Sequence, residues 1–259
     1  MCIRDRGEAV AFRQQRLRKD VQLAQRIQTS ILPRELLVKG LEIAAEMKPA
    51  EQVGGDYYDV IPTRGGAWIG IGDVAGHGVD AGLVMMMLQG VVAAVVQHDP
   101  TASPAAVLTS TNAVLYRNIR ARLQRDDHAT LTLLHYENGR ARFAGAHEDM
   151  IIVRRTTGRA EIVATEGPWV GAIPDITSVV GEEQELVLEP GDLLLLHTDG
   201  VTEARKGREE YGLDRLCREV ERVADLPVDE IVETIQRSVA EWSDEQMDDV
   251  TIVGIRRLS

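Results

Sequence analysis

The spacing of apolar positions changes from a seven-residue repeat to a two-residue repeat near residue 40. Between Glu8 and Ile31 apolar side chains recur every seven positions, which predicts a helix that Pro33 ends. Gln14 and Gln28 interrupt the intermediate positions, so the stripe is weak. Two interpretations are open: the helix packs on its own domain, or it forms a parallel coiled coil or signalling linker.

Beyond residue 40 short alternating segments bounded by turn residues predict strands, and longer apolar segments predict helices. The predicted strands are Leu41–Met47, Tyr57–Ile61, Ala67–Asp73, Ala129–Tyr136, Arg140–Ala146, Met150–Arg155, Glu161–Ala164, Glu185–Leu188, Leu193–His197 and Asp249–Arg256. The predicted helices are Gly78–Gln97, Ser103 to about Ile119, Leu213–Val223 and Val228–Trp242. Turns at Asn138-Gly139, Thr157-Gly158 and Pro190-Gly191 predict three hairpins. Antiparallel strands broken by helix pairs indicate a layered α+β domain.

Composition narrows the classes of function. The chain has 259 residues, 44% of them hydrophobic, and a formal net charge of −12, which disfavours a nucleic-acid or anionic-membrane surface. Cys2 and Cys217 form no metal-binding pair and fit a reducing cytoplasm. The apolar stretch Leu83–Val96 is shorter than a membrane span, and no signal peptide is visible. Residues 1–33 are predicted to be a linker helix that follows an upstream module, and residues 34–259 one domain.

Five acidic motifs are the strongest chemical signal, because most place an Asp where an apolar run meets a turn. They are GGDYYD at 54–59, GDVAGHG at 72–78, GD at 191–192, TDG at 198–200 and DDVT at 248–251. Converging carboxylates would repel one another unless divalent cations bind between them. Oxygen ligands without His or Cys select Mg²⁺ or Mn²⁺. The candidate ligands are Asp56, Asp73, the Val74 carbonyl, Asp199, Asp248 and Asp249.

Two hard ions held by such a set could activate water for attack on a phosphoryl group. Asp59 is a further candidate, either as a solvated strand-end charge or for orienting Asp56. His77 is predicted to cap a helix or bond a loop carbonyl, or else to transfer a proton to the leaving oxygen. His147 is expected to be structural, and Asp192 to be a turn residue.

The order VGGDYYD, GDVAGHG, LEPGDLLLLHTDGVTEA, DDVTIV resembles the SpoIIE-type branch of the metal-dependent type 2C serine/threonine phosphatases, the PPM family, from about Leu41 to Leu258. The segment QLAQRIQTSILP resembles the linker helix that precedes such domains. The resemblance implies a four-layer α-β-β-α sandwich of two antiparallel sheets flanked by helices. It also implies two Mn²⁺ or Mg²⁺ ions, bound by Asp56, Asp73 as the bridging ligand, Val74, Asp199 and Asp248. Asp249 would reach a metal through water.

By the same resemblance, the substrate would be a phosphorylated STAS-type anti-anti-sigma protein in a partner-switching pathway. An upstream sensor or receiver would control the enzyme. Separately, the coiled-coil interpretation of the heptad stripe predicts a homodimer through the N-terminal helix. Two segments depart from the family pattern, AGAHED at 144–149 and WVG at 169–171. The altered AGAHED segment and the heptad stripe keep an alternative open, a non-catalytic dimeric signalling scaffold with a phosphatase-like fold.

Overall fold

The computed structural model describes residues 3–33 and 36–259, and its core is a pair of five-stranded antiparallel sheets. The strands are β1 Leu41–Lys48, β2 Asp56–Pro62, β3 Gly66–Val74, β4 Ala129–Glu137, β5 Arg140–Ala146, β6 Met150–Val153, β7 Ala160–Val163, β8 Gln184–Val187, β9 Leu193–His197, β10 Arg205–Lys206, β11 Glu209–Glu210 and β12 Val250–Arg257. The helices are α1 Ile3–Ile31, α2 Gly78–His98, α3 Pro104–Tyr116, α4 Asp199–Thr202, α5 Leu213–Val223 and α6 Val228–Trp242. A π-helical segment, Arg117–Leu123, extends α3.

The two sheets form the inner layers of a four-layer sandwich. One sheet has the strand order β1-β12-β9-β6-β7 and the other β2-β3-β4-β5-β8, while β10 and β11 form a separate ribbon. Buried apolar side chains such as Ile69, Leu134 and Val253 fill the space between the sheets. Helices α2 and α3 cover the second sheet, and α5 and α6 cover the first. The predicted α-β-β-α architecture is confirmed.

Helix α2 is strongly apolar because it packs on several sides. Among the described residues it is the one helix whose length and composition would allow it to cross a membrane. Its side chains Met85, Leu88 and Val92 are buried in the core beneath the second sheet. Packing against the domain core therefore explains why α2 is as apolar as a membrane-spanning helix.

Helix α1 begins at Ile3, earlier than the predicted start, and ends at Ile31 as predicted. The side chains of Val10 and Leu17, which define half of the predicted seven-residue stripe, lie outside the described residues. Leu23 is exposed farther along the same helix. The predicted coiled coil and the boundary between residues 33 and 34 therefore stay predictions.

One predicted supersecondary element is wrong, the hairpin joining Glu185–Leu188 to Leu193–His197. Strand β8 pairs with β5, whereas β9 pairs with β12 and β6, so the chain changes sheets at this turn. The buried carboxylate of Asp192 fixes the crossover by accepting hydrogen bonds from the Arg155 N–H and from Arg154 Nη1, both at 2.9 Å. Turn residues specify a local change of direction, but distant strands decide which sheet the next strand joins.

Candidate active site

Asp56 and Asp73 face each other across neighbouring strands. The antiparallel register of β2 and β3 pairs Asp56 directly with Asp73, so the two side chains project from the same face of the sheet. Like charges at directly opposed positions destabilise a sheet. The register therefore creates a local repulsion that a bound cation would relieve.

Two threonine hydroxyls hold the Asp56 carboxylate, which is 1% exposed. Thr198 Oγ1 donates to Asp56 Oδ2 at 2.9 Å, and Thr251 Oγ1 donates to the same oxygen at 2.5 Å. Burial raises the pKa of Asp56 well above its usual range, and the charges of Asp73 and Asp249 add to the increase. The two hydroxyl bonds oppose this increase. They orient Asp56 and use one oxygen, while the other accepts no hydrogen bond among the described residues.

Asp199 and Asp248 enter the same region from the other sheet. Strand β9 ends at His197 and Asp199 begins α4, whereas Asp248 precedes β12, the strand paired with β9. Burial, followed by the charges of Asp199, Asp248 and Asp249, raises the pKa of Asp73 to about 8. Burial and the charge of Asp248 also raise the pKa of Asp199. The four motif aspartates therefore share one electrostatic environment.

The donor groups fit a hard cation, although they do not form a closed cage. Within residues 3–33 and 36–259, no three Asp, Glu, His or Cys side chains are arranged to chelate one ion directly. Asp73 Oδ1 and the Val74 carbonyl oxygen both approach the space beside Gly55, each 2.7 Å from where a β-carbon at that residue would lie. A glycine thus leaves room where carboxylate and carbonyl oxygens converge. Oxygen donors of this kind are typical of Mg²⁺ and Mn²⁺ sites.

Asp249 lies beside this set, and its carboxylate binds backbone amides. It is 6% exposed, and its Oδ1 accepts a hydrogen bond from the Ala50 N–H at 2.8 Å. Its Oδ2 accepts one from the Gly55 N–H at 2.7 Å and a longer one from the Asp56 N–H at 3.5 Å. Asp249 therefore ties the loop before β2 to the start of β12. In the structure it positions Asp56, and a water-mediated contact to a metal stays a prediction.

The other two candidates, Asp59 and His77, make no hydrogen bond to the four aspartates among the described residues. Asp59 lies an odd number of residues from Asp56 along β2, so it projects from the opposite face of the sheet. Its carboxylate accepts hydrogen bonds from the Val60 N–H at 2.8 Å and from Gln89 Nε2 at 3.3 Å, on the side of α2. No described hydrogen bond of Asp59 reaches Asp56.

His77 precedes α2 at the N-cap position, but its side chain makes no capping hydrogen bond there. Instead its Nδ1 lies 2.9 Å from Glu51 Oε1, and both side chains are largely exposed. The predicted capping role thus has no hydrogen bond to support it. Proton transfer by His77 stays a prediction.

Three threonine hydroxyls that support the aspartates were not among the predicted site residues. Thr198 and Thr251 belong to the quoted TDG and DDVT motifs, so their place within the acidic motifs was an available signal. Thr130 gives no such signal, because only the pairing of β3 with β4 brings it to Asp73. The Asp73 N–H donates to Thr130 Oγ1 at 3.2 Å, and that hydroxyl lies 2.8 Å from His147 Nδ1.

The AGAHED segment lies beneath the site. Burial and the nearby His197 lower the pKa of His147 to about 3, so the imidazole is neutral at pH 7. Thr165 Oγ1 accepts a hydrogen bond from the His147 N–H at 3.1 Å and donates one to the His147 carbonyl at 2.7 Å. Burial and the charge of Asp199 raise the pKa of Glu148. The departure from the family pattern therefore adds a carboxylate near Asp199.

A groove of about 540 Å³ borders the site on the side of α6. Its lining includes Gly200 and Asp248 from two of the motifs, and also Lys48 and Arg205. Met247, which is 76% exposed, lies at the same groove. The site is thus continuous with a surface large enough to hold a segment of another protein.

Two antiparallel sheets between helix pairs, with aspartates converging at one edge, define a phosphatase of the PP2C type. The chain belongs to the SpoIIE family, because the family model described as Stage II sporulation protein E (SpoIIE) matches residues 63–258. The family that the sequence motifs suggested is thus confirmed.

Known relatives agree with this assignment. The chain is 27% identical to the phosphoserine phosphatase RsbU of Bacillus subtilis, over 94% of this chain and 72% of RsbU. It is similar to the SiaA PP2C domain of Pseudomonas aeruginosa, with a TM-score of 0.78 and 25% identity over 95% of this chain and 98% of that one. The catalytic domain of the serine/threonine phosphatase PstP in complex with two manganese ions has the same fold. Its TM-score is 0.63 at 14% identity, over 86% of this chain and 99% of that one.

Proposed function

We propose that this chain is a Mn²⁺- or Mg²⁺-dependent protein serine/threonine phosphatase that acts on a phosphorylated STAS-type protein in a partner-switching pathway. One observation carries the metal dependence: Asp56 lies opposite Asp73, and Asp199 and Asp248 raise the pKa of Asp73 from the facing sheet. Four carboxylates in one environment, without an arginine or lysine among the causes of the shift, favour a site completed by cations.

The groups that would hold two ions are Asp56, Asp73 with the Val74 carbonyl, Asp199 and Asp248. When bound, such ions lower the pKa of a coordinated water and neutralise charge on a phosphoryl group. The protein's own contribution is positioning. Thr198 and Thr251 fix one oxygen of Asp56 and leave the other available.

Asp249 holds the loop that carries Gly55 against β12, which keeps the two sheets' carboxylates together. The groove beside Asp248 would bind residues of the substrate that flank its phosphoserine or phosphothreonine. A protein substrate suits an open groove that begins at the site better than a small metabolite, which needs an enclosed pocket.

Similarity to RsbU, a phosphoserine phosphatase, supports a phosphoserine protein as substrate. The STAS-type partner, an upstream sensor or receiver, a cytoplasmic location and a homodimer through residues 1–33 complete the proposal. Sedimentation of the chain with and without residues 1–33 tests the dimer. A monomer in both cases would exclude this part of the proposal.

The central experiment measures hydrolysis of a phosphoserine protein and of p-nitrophenyl phosphate with and without Mn²⁺ or Mg²⁺. Activity should require the metal, and Asp73→Ala should lose at least 100-fold because it removes a metal ligand. Asp80→Ala is the matched control, since Asp80 is exposed and pairs with Arg125 on the surface. Full activity of Asp73→Ala, or activity in chelator, would exclude the metal-dependent mechanism.

Co-purification with Asp73→Asn as a trap tests the substrate. A phosphorylated STAS-type protein should be retained by this variant and released by the wild type after hydrolysis. Calorimetry that detects no Mn²⁺ binding to the wild type would instead favour the non-catalytic scaffold. Retention of no phosphoprotein would contradict the proposed partner.

A further inference from the structure

Gln28 is a buried amide at the end of α1 that is nearest the domain. It is 2% exposed, whereas its neighbours Ile27 and Thr29 are exposed. Gln28 Nε2 donates a hydrogen bond to the Gly54 carbonyl at 2.7 Å, and Gln28 Oε1 accepts one from the Gly54 N–H at 3.1 Å. One side chain thus satisfies both backbone groups of a single buried residue.

Gly54 belongs to the loop that leads into the active site. The next residue, Gly55, donates its N–H to Asp249, and Asp56 follows directly. A β-carbon at Gly54 would lie 1.9 Å from Asp249 Oδ2, so the Asp249 carboxylate packs closely against this residue. The loop is therefore held by Gln28 at Gly54 and by Asp249 at Gly54 and Gly55.

Helix α2 also packs against this loop. A β-carbon at Gly82 would lie 2.2 Å from Val53 Cγ1, 3.1 Å from the Gly54 carbonyl oxygen and 3.4 Å from Gln28 Nε2. Glycine at position 82 allows the helix to approach both the loop and the Gln28 amide. Because the packing is this close, an apolar side chain in place of the Gln28 amide would leave the Gly54 N–H and carbonyl buried without partners.

We propose that Gln28 is a positioning residue of the active site, because it fixes the backbone of the residue two positions before Asp56. The inference rests on the proposed function, but its test by hydrogen exchange does not. With the Gln28 amide in place, the Gly54 backbone is fixed and Asp56 is held opposite Asp73 and beside Asp249. Without the amide, the loop loses two hydrogen bonds and Asp56 is no longer preorganised to bind a metal.

The test compares Gln28→Leu with Gln22→Leu, which changes an exposed glutamine on the same helix. Amide hydrogen exchange of residues 50–57 is measured on the metal-free protein, and Mn²⁺ binding is measured by calorimetry. We expect exchange about tenfold faster and Mn²⁺ binding about tenfold weaker in Gln28→Leu, which is what loss of one or two net hydrogen bonds predicts. Gln22→Leu should stay within about twofold of the wild type in both measurements.

Gln28→Glu provides a second variant in case Gln28→Leu does not fold. Its carboxylate still accepts from the Gly54 N–H, but its second oxygen repels the Gly54 carbonyl oxygen instead of donating to it, so exchange should again be faster than in the wild type. At saturating Mn²⁺, kcat of the folded variants should stay within about twofold of the wild type while the Mn²⁺ concentration for half-maximal activity rises.

Wild-type exchange and metal affinity in both Gln28 variants would overturn the inference and leave the phosphatase assignment intact. Conversely, faster exchange in a chain without phosphatase activity would support the positioning role and reject the proposed function. The two failures are distinguishable because exchange needs neither metal nor substrate.

Discussion

Asp248 and Asp249 are adjacent in the chain, yet the structure gives them opposite kinds of environment. Asp249 is buried and accepts backbone hydrogen bonds from Ala50 and Gly55 at 2.8 and 2.7 Å. Asp248 is exposed, and its described side-chain hydrogen bond comes from the neighbouring Asp249 N–H. Asp249→Ala therefore tests the role of holding the loop, and Asp248→Ala tests the role of binding the metal.

The expected loss of stability follows from the bonds that each variant removes. A hydrogen bond to a charged group contributes about 1.5–3 kcal/mol net, and Asp249→Ala removes two short ones and leaves two N–H groups unpaired. Burial and the charge of Asp248, which raise the pKa of Asp249, offset part of this contribution. We expect Asp249→Ala to lower the free energy of unfolding by about 3 kcal/mol, roughly 6–12 °C in Tm for a domain of this size. Asp248→Ala should change it by less than about 0.5 kcal/mol.

The assay is urea and thermal unfolding of both variants in chelator, and Mn²⁺ calorimetry on separate folded samples of the same variants from which the chelator has been removed. Asp248→Ala should unfold like the wild type but bind Mn²⁺ at least tenfold more weakly, because a ligand is lost. Equal stability of Asp249→Ala and wild type, or a larger destabilisation in Asp248→Ala, would refute the division of roles.

Two further predictions concern packing and pH. Gly200→Ala should destabilise the protein by about 1–3 kcal/mol, because the new β-carbon would lie 1.9 Å from the Asp249 carbonyl oxygen. Gly90→Ala in α2 should stabilise the protein by about 0.5–1 kcal/mol, because a β-carbon at this residue would have no neighbouring atom within 4 Å. Thermal unfolding of the two variants checks that Tm falls in the first and rises in the second. His147 has its pKa lowered to about 3, so the unfolded chain, with a pKa near 6.5, binds the proton first as pH falls. The contribution of His147 to the free energy of unfolding is complete above pH 6.5 and should fall by about 2 kcal/mol between pH 7 and 5. Urea unfolding at both pH values should show this fall in the wild type but not in His147→Gln. An equal loss of stability in both proteins would contradict a lowered pKa of His147.

Local sequence patterns predicted most of the fold because most elements are set by their own periodicity and turns. The bounds of α5 and α6 match the amphipathic pattern at Leu213–Val223 and Val228–Trp242. The hairpin error at residues 185–197 has a different origin. A Pro-Gly turn specifies that the chain changes direction, whereas pairing of β9 with β12 depends on residues more than fifty positions away.

The same distinction applies to the candidate site. The aspartates were visible because each lies in a short motif, and the structure brings Asp56, Asp73, Asp199 and Asp248 into one environment. The groups that orient them were not visible, because Thr130 and Gln28 acquire their roles only through tertiary contacts. Gln28 in particular looked like a defect in an apolar stripe, since sequence spacing cannot show which face of α1 meets the domain.

Strand β12 lies between β1 and β9, and the residues just before it provide two of the acidic groups. During synthesis on the ribosome, β1 therefore has no strand to pair with until β12, some two hundred residues later, has been translated. The nascent chain can form the sheet of β2, β3 and β4 early, but it has no assembled catalytic edge at that stage. The acidic edge of the fold would thus be completed in one late step of synthesis.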